Sequence, residues 1–531
     1  MNRRNIVLFL PLTLASAALA QCPATWVYSE DQSPSLAPNG AIRAFASYDP
    51  DGEGQRHNVL VVGGSFTTAG SGTVHNIAFW NGDGWYPIGG GVNGEVRALL
   101  PFGFGFVAAG TFTMAGGVPV NNIAYWDGME WHNLEGGLNG AVNALAWHNG
   151  QLWAGGAFTA SGTTTLMHVA SFGGDGWRPL GAGIDGDVFS MVSHDGYLVV
   201  GGAFHTAGVV ASPNLARWNG LSWSGLGQGV DAPVHALARE RDFLYVGGDF
   251  MHAGGQPSDH IAVWDGAAWG ALAAGVNAPV TAITATSDAV YAAGAFSSAG
   301  GQPADQVAKW EGGAWTALPG GVGPGTPAIH ACTTFINEVL FGGDFGSVGG
   351  STSAALARWN ETNAPWIAVD PGVARLTPEG TLTIECKVAK GYDTSTMTSQ
   401  WFHNNGFEVV DGPSGAGLGG GIVSGAHTLT LRIDAATAED FGAYEVFIDT
   451  PCGSLSSAPG RALDRCDAID FNADDLFPDT LDIEDFLSVF SGGPCSNSPA
   501  CGDVDFNNDG LFPDTLDIES FLNVFSGGGC L

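Results

Sequence analysis

The 531-residue sequence predicts a mainly-β fold built from repeats, with smaller modules appended. Three observations predict it. The 82 glycines are about twice the usual share and follow no collagen-like period, so they mark turns. Seventeen tryptophans accompany only 13% charged residues. A phenylalanine closing a G-G-x-F or similar tetrapeptide recurs at Phe66, Phe112, Phe158, Phe204, Phe250, Phe296 and Phe345, with five intervals of 46 residues and a last one of 49. A net charge of −35 excludes a general nucleic-acid binder, because neutralising phosphates needs clustered Lys and Arg. It argues equally against adhesion to anionic lipid. A hydrophobic share of 45% excludes a disordered acidic chain.

Residues 1–20 read as a secretory signal: Arg3 and Arg4, an apolar run from Ile6 to Leu14, and Ala18-Leu19-Ala20 as cleavage site. Export to the extracellular space or cell surface is the expectation. Gln21 before Cys22 argues against a lipidation box, which needs a small residue there. No later run reaches 18 apolar residues, so no transmembrane segment is expected. All eight cysteines then lie in a compartment that permits disulfides.

Residues 21–364 carry the repeat. Each unit reads as four short strands, as in Val234–Ala238, Phe243–Phe250, His260–Trp264 and the strand opened by Trp269. Asn81-Gly82, Asp127-Gly128, Asn219-Gly220 and Asp265-Gly266 join the third strand to the fourth, in turns that require positive φ. Four strands in 46 residues is the arithmetic of a β-propeller blade, and seven phenylalanines predict seven blades. The seventh unit stops at Trp359-Asn360 without a fourth strand. Ala24-Thr25-Trp26-Val27-Tyr28 is the candidate to complete it, with Trp26 standing where Trp85, Trp131, Trp177, Trp223, Trp269 and Trp315 stand. Such closure removes an open sheet edge.

This strand order, with Gly-Gly ending the second strand and an aromatic ending the third, resembles kelch-type β-propellers over residues 22–360. The resemblance is specific for fold and says little about function. The repeated aromatics read first as inter-blade packing. Asn93, Asn139, Asp185, Asp231 and Asn277 form a second series spaced by 46, broken at Gly323. It reads either as repeated Asx turns or as a ring of oxygens for a cation or polar ligand. Departures from the repeat are where chemistry would show. His205 and His252 fall in adjacent connections on the expected binding face. His75, His168 and His260 read as preceding their Ile/Val-Ala pairs, where other units carry Asn122, Asn214 or Gln306. Arg239-Glu240-Arg241 reads as a solvated hairpin turn. Kelch-like propellers include copper radical oxidases, but the propeller holds only Cys22 and Cys332, and their constellation cannot be assembled. A Cys22–Cys332 bridge would staple the closure, although the first and fourth strands of a blade lie about 14 Å apart.

Residues 365–463 break the pattern. Cys386, Trp401 and Asp440-Phe441-Gly442-Ala443-Tyr444 resemble an immunoglobulin-like sandwich with its tyrosine corner. Val446 stands where that family's second cysteine would be, which leaves Cys452 as the available partner for Cys386.

Residues 464–531 hold 15 of the 52 acidic residues and two copies of one motif offset by 35. D-x-N-x-D opens each copy, followed by a short helix, Ile483–Phe490 or Ile518–Phe525. A tandem of loop and single helix resembles a dockerin module. The resemblance implies two Ca²⁺ sites, one on Asp470, Asn472, Asp474 and Asp482, the other on Asp505, Asn507, Asp509 and Asp517. Asp479 and Asp514 are substitute ligands. The closing Asp is at loop position 13, where the family pattern has 12, and Asp475 replaces the turn glycine that Gly510 keeps. Cys466–Cys495 and Cys501–Cys530 are the simplest bridges. A cohesin-like or cell-surface anchor is the implied partner.

The reading that combines these modules is an exported, monomeric, non-catalytic binding or scaffold protein, with a protein or glycan ligand on the propeller loop face. The competing reading is an extracellular enzyme acting on polysaccharide.

Overall fold

A computed structural model describes residues 22–29, 33, 36–49, 58–103, 105–323, 328–377, 379–404, 406–413, 420–463, 486–489 and 518. The chain divides into two compact units, Met1–Trp366 with Ala389–Tyr392, and Ile367–Val388 with Asp393–Leu531.

The first unit holds seven four-stranded antiparallel sheets, numbered here as blades 1 to 7. Blade 5 shows the pattern: Val234–Glu240, Phe243–Gly248, Ile261–Trp264 and Trp269–Ala271 follow one another across the sheet. Tight turns suit short apolar strands of this kind, and Gly266 between the last two has φ of 95°. The innermost strands are Ala41–Tyr48, Val96–Phe102, Val142–His148, Asp187–His194, Val234–Glu240, Val280–Ala285 and Ala328–Phe335. Each packs against the next, and the last packs against the first. A closed ring of radial sheets is a β-propeller.

The double glycine has two separate causes. A Cβ on the first glycine would meet the next blade: at Gly201 it would come 2.5 Å from Val234, at Gly247 2.6 Å from Val280, and at Gly342 of blade 7 2.5 Å from Ile42 of blade 1. A Cβ on the second would overlap a carbonyl oxygen of its own innermost strand, that of Asp187 above Gly202 and of Pro233 above Gly248. That carbonyl precedes a β-bulge, present at the same place in all seven innermost strands. A bulge adds one unpaired residue and re-aims its side chain.

In five blades, 3 to 7, a tryptophan ties the blade to the one before it. Trp177, Trp223, Trp269 and Trp315 donate from Nε1 to the carbonyls of Leu134, Leu180, Leu226 and Leu272. Trp26 does the same at Pro319, at 2.8 Å. It opposes Trp359 as Trp269 opposes Trp264, because Thr25–Val27 pairs with Leu356–Asn360 as the outermost strand of blade 7. The repeat phenylalanines are buried, so these aromatics are packing elements.

Blade 7 also holds a buried ionic cluster. Arg358 donates from Nε and Nη2 to the two oxygens of Glu338, at 2.8 and 2.7 Å, and both side chains are fully buried. Tyr392 and Trp366 donate to Glu338 Oε1 at 2.6 and 2.8 Å, and Arg358 Nη1 donates to the Lys390 carbonyl at 2.8 Å. Burial works to raise the Glu338 carboxyl, and Arg358 with these donors outweighs it, holding the group below its ordinary range.

Neither proposed bridge of the β modules forms. Cys332 and Cys386 are free thiols, whereas Cys22 and Cys452 are disulfide-bonded. Cys332 sits on the innermost strand opposite Phe341, three strands in from the edge that Cys22 precedes. Cys386 is enclosed by the core of its own unit, a cluster that also holds Val446, while Cys452 lies past the strand Gly442–Thr450 in the turn closed by Thr450. Burial pushes the Cys386 thiol up to about 12.

The second unit is a sandwich of a six-stranded sheet, containing Thr398–His403 and Gly442–Thr450, and a four-stranded sheet containing Thr381–Glu385 and Thr430–Asp434. Trp401 and Tyr444 are fully buried between them. The Tyr444 hydroxyl donates to the Asp440 carbonyl at 2.7 Å, which is the bond of a tyrosine corner. In the C-terminal segment residues 486–489 and 518 are helical, and Phe486 is fully buried.

Candidate functional site

The tail residues singled out for calcium, Asp470, Asn472, Asp474, Asp479, Asp482, Asp505, Asn507, Asp509, Asp514 and Asp517, lie outside the described residues, as do Cys466, Cys495, Cys501 and Cys530 and the segment 1–20.

The oxygens spaced by 46 are neither local Asx turns nor a free ring. Asn93 Oδ1 accepts the backbone N–H groups of Thr113 and Met114, at 2.8 and 2.9 Å. Asn139, Asp185, Asp231 and Asn277 make the same pair of bonds 20 and 21 residues ahead, and Asn39 makes it in blade 1 with Thr67 and Thr68, 28 and 29 residues ahead. Each side chain latches the loop that follows the second strand of its own blade. Gly323 interrupts the series because Ser347 already fills the space its Cβ would need.

The histidines preceding the third strand also have a backbone explanation. His75 lies one residue too early, and Asn76 takes that position. Asn76, Asn122, His168, Asn214, His260, Gln306 and Ala355 all have φ between 61° and 69°. What the position selects is tolerance of left-handed backbone, for which Asn and His are enriched. His168 and His260 place Nδ1 against the carbonyls of Gly156 and Gly248, at 3.1 and 3.2 Å.

The seven bulges carry Arg43, Arg97, Asn143, Phe189, His235, Thr281 and His330, all half-buried. They form a belt near the leading ends of the packed innermost strands. Arg43 and Arg97 share the carboxylate of Glu95, Arg97 Nε donating to Oε2 at 2.5 Å. Arg97 Nη1 donates to Asn143 Oδ1 at 3.0 Å, and Asn143 Nδ2 donates to the Val188 carbonyl at 3.0 Å. Phe189 stacks on His235 with centroids 5.5 Å apart, and His235 Nε2 lies 3.0 Å from Asp249 Oδ1. Thr281 Oγ1 donates to the Ile329 carbonyl at 2.5 Å. Burial, with the Arg43 cation, pushes His330 down to about 4, so that imidazole is neutral at pH 7.

The belt joins two chemistries. One sector, blades 1 to 3, offers guanidinium and amide N–H donors with two cations on one carboxylate. The other, blades 4 and 5, offers an aromatic face and an imidazole oriented by a carboxylate. Blades 4 and 5 also replace the Asn latch by Asp185 and Asp231. Asp231 Oδ2 takes His252 Nδ1 at 2.8 Å. Burial works to raise the Asp231 carboxyl, and the hydrogen bonds from His252 and the loop N–H groups outweigh it. His205 and His252 thus lie beside latch carboxylates of adjacent blades.

Sequence reasoning passed over the belt, although its signal was present. In Val96-Arg97-Ala98, Val142-Asn143-Ala144, Val234-His235-Ala236 and Val280-Thr281-Ala282 the flanks repeat and the middle residue changes chemical type. A strand read as plain alternation gives that residue no special direction, and only the bulge does.

No family model matches the chain, and no curated protein matches it. Among solved structures, the tandem immunoglobulin repeats of Dlar match at 17% identity and a TM-score of 0.16, over 24% of this chain and 62% of that one. The chain thus spans under two thirds of that structure. The β-propeller domain of the Trilobed protease from Pyrococcus furiosus matches at 10% identity and a TM-score of 0.33, over 60% of this chain and 95% of that domain. Similarity at this level concerns fold alone. Among the described residues no helix is long and apolar enough to cross a membrane.

Proposed function

We propose that this chain is an exported, non-catalytic binding protein: a kelch-type, seven-bladed propeller as ligand platform, an immunoglobulin-like spacer, and a dockerin-like tail that anchors through two Ca²⁺ sites. The observation that carries the reading is the belt. On a scaffold whose packing positions repeat from blade to blade, its seven residues differ in charge, size and hydrogen-bonding capacity. A structural requirement common to all blades would select one residue type. Chemical variety at one geometric position is what recognition of an asymmetric ligand requires. Among protein and glycan ligands found on arrays with the full chain, at least one should be lost in Arg97→Ala and in His235→Ala. Retention of every ligand by both variants would refute the assignment of the belt.

For the tail, calorimetric titration of the full chain with Ca²⁺ is expected to show two sites, and Asp505→Asn with Asp509→Asn to remove one of them. The motive is the duplicated D-x-N-x-D opening, whose alternate oxygens suit a hard cation.

One observation favours a second reading. His235 is oriented by Asp249 in the manner of a general base. Under that reading the chain is an extracellular polysaccharide-active enzyme. Turnover in a hydrolase and oxidase screen, abolished by His235→Ala, would replace the first reading with the second.

A further inference from the structure

The latch residues and the repeat aromatics are explained by backbone satisfaction or packing; an aromatic ridge at the other end of the innermost strands is not. Trp147 is 45% exposed. It belongs to neither of the two tryptophan positions that recur in each blade, and the equivalent residues in the other blades are Ser47, Pro101, Ser193, Arg239, Ala285 and Thr334. Its ring meets Phe102 edge-on with centroids 5.2 Å apart, Phe102 meets Tyr125 edge-on at 5.3 Å, and Tyr125 stacks on His132 at 5.9 Å. Phe102 ends the innermost strand of blade 2, about 16 Å along it from Arg97 at 3.3 Å per residue, and Trp147 is next to last in the innermost strand of blade 3. The ridge and the belt therefore occupy opposite ends of the sheets.

Its border is acidic. His132 Nε2 lies 2.6 Å from Asp127 Oδ2, while Asp127 Oδ1 accepts the N–H groups of Met129 and Glu130 at 2.8 Å each. Those backbone bonds, then His132, hold the Asp127 carboxyl down to about 2, so it only accepts. Glu130 extends beyond it with an exposed carboxylate.

From this arrangement we propose that Trp147, Phe102 and Tyr125 form a second binding site, whose ligand is a neutral pyranose unit of a glycan. An aromatic ring set edge-on against its neighbours is held in one orientation, so binding costs little ordering. Its face suits the axial C–H face of a sugar ring. The Glu130 carboxylate accepts hydroxyl hydrogens, and the acidic border repels uronate, sulfate and phosphate groups.

The test uses the full chain with cellohexaose as probe, titrated by calorimetry and by ligand-observed NMR. Wild type should bind, Trp147→Ala should lower affinity about tenfold or more, and Trp147→Phe should restore part of it. Glu130→Gln should weaken binding by a smaller factor, about threefold. Hexagalacturonate should not bind. Absence of cellohexaose binding by wild type overturns the proposal, as does unchanged affinity in a Trp147→Ala variant with wild-type circular dichroism. A concentration-dependent dimer that Trp147→Ala dissolves would assign the ridge to a second copy of the chain and equally overturn it.

Discussion

Blades 5 and 7 share one strand order but reach it differently. Blade 5 is a continuous run of chain, and its sheet is held by hairpins, the Trp264–Trp269 pair and apolar contacts with its neighbours. Blade 7 is assembled from two parts of the chain, and Trp26 and Trp359 reproduce the same ring pair at 5.1 Å. There the third strand carries Arg358, fully buried on Glu338 and covered by Tyr392, where blade 5 has half-buried Val263 and blade 4 has half-buried Arg217. Apolar repeat positions suffice where the chain is continuous. Where two segments must meet in one register, Arg358, fixed by Glu338, also donates from Nη1 to Ser29 Oγ of the N-terminal segment at 3.3 Å, at the cost of desolvating both charges.

The largest test of this difference is Arg358→Met. It leaves Glu338 buried and unpaired, and should lower the unfolding free energy by about 3–5 kcal/mol in urea melts. Arg217→Met in blade 4, where the guanidinium lies 4.4 Å from the Tyr197 ring and remains half-exposed, should cost about 1 kcal/mol or less. If Arg358→Met combined with Glu338→Met restores most of the loss, the cluster specifies register more than stability. Equal costs for Arg358→Met and Arg217→Met would erase the distinction.

A smaller effect sharpens the comparison at the ring seam. Gly342→Val and Gly247→Val each drive methyl groups into the next innermost strand, at Ile42 and Val280. Both should destabilise by about 1–3 kcal/mol. Similar values would mean that the contact between blades 7 and 1 is as tight as a regular one. A clearly lower value at Gly342 would locate a weak point there.

The least effect is expected from pH. His330 titrates at about 4 in the folded chain, below the ordinary histidine value of 6.5. The unfolded chain therefore binds the proton first, so the stability contributed by neutral His330 is complete above 6.5 and is lost as pH falls from 6.5 toward 4. His330→Asn should flatten the melting-temperature profile across that window. Glu338, whose carboxyl is also lowered, acts only in stronger acid: its contribution holds above about 4.5 and is lost below. An unchanged profile in His330→Asn would show that His330 is not the group protonated on unfolding.

Much of the β architecture was legible because its causes are local and repeated. The 46-residue recurrence, the Asn-Gly and Asp-Gly turns and the spacing of Trp85 to Trp315 each state a strand or a turn. Cys386 with Trp401 and Tyr444 did the same for the sandwich. The site was less legible. Asn93 and its equivalents were visible as a series, yet their partners lie 20 residues ahead, so a local turn was the wrong inference. The cysteine pairings expected of the two β modules failed for the same reason, since Cys332 and Cys386 are interior residues whose distance from Cys22 and Cys452 depends on strand position and not on count.

The sequence by itself determined that this chain is mainly β, repeat-built and acidic, because period, turn residues and composition act through short-range geometry and through net charge. Only the tertiary structure decided which side chains have functional geometry. The bulge above each second glycine turns Arg43, Arg97, His235 and His330 onto one belt. The meeting of two blades sets Trp147 against Phe102. Burial turns Arg358 and Glu338 from ordinary charges into a seam. In each case the deciding quantity is a contact between residues distant in sequence, which no local pattern contains.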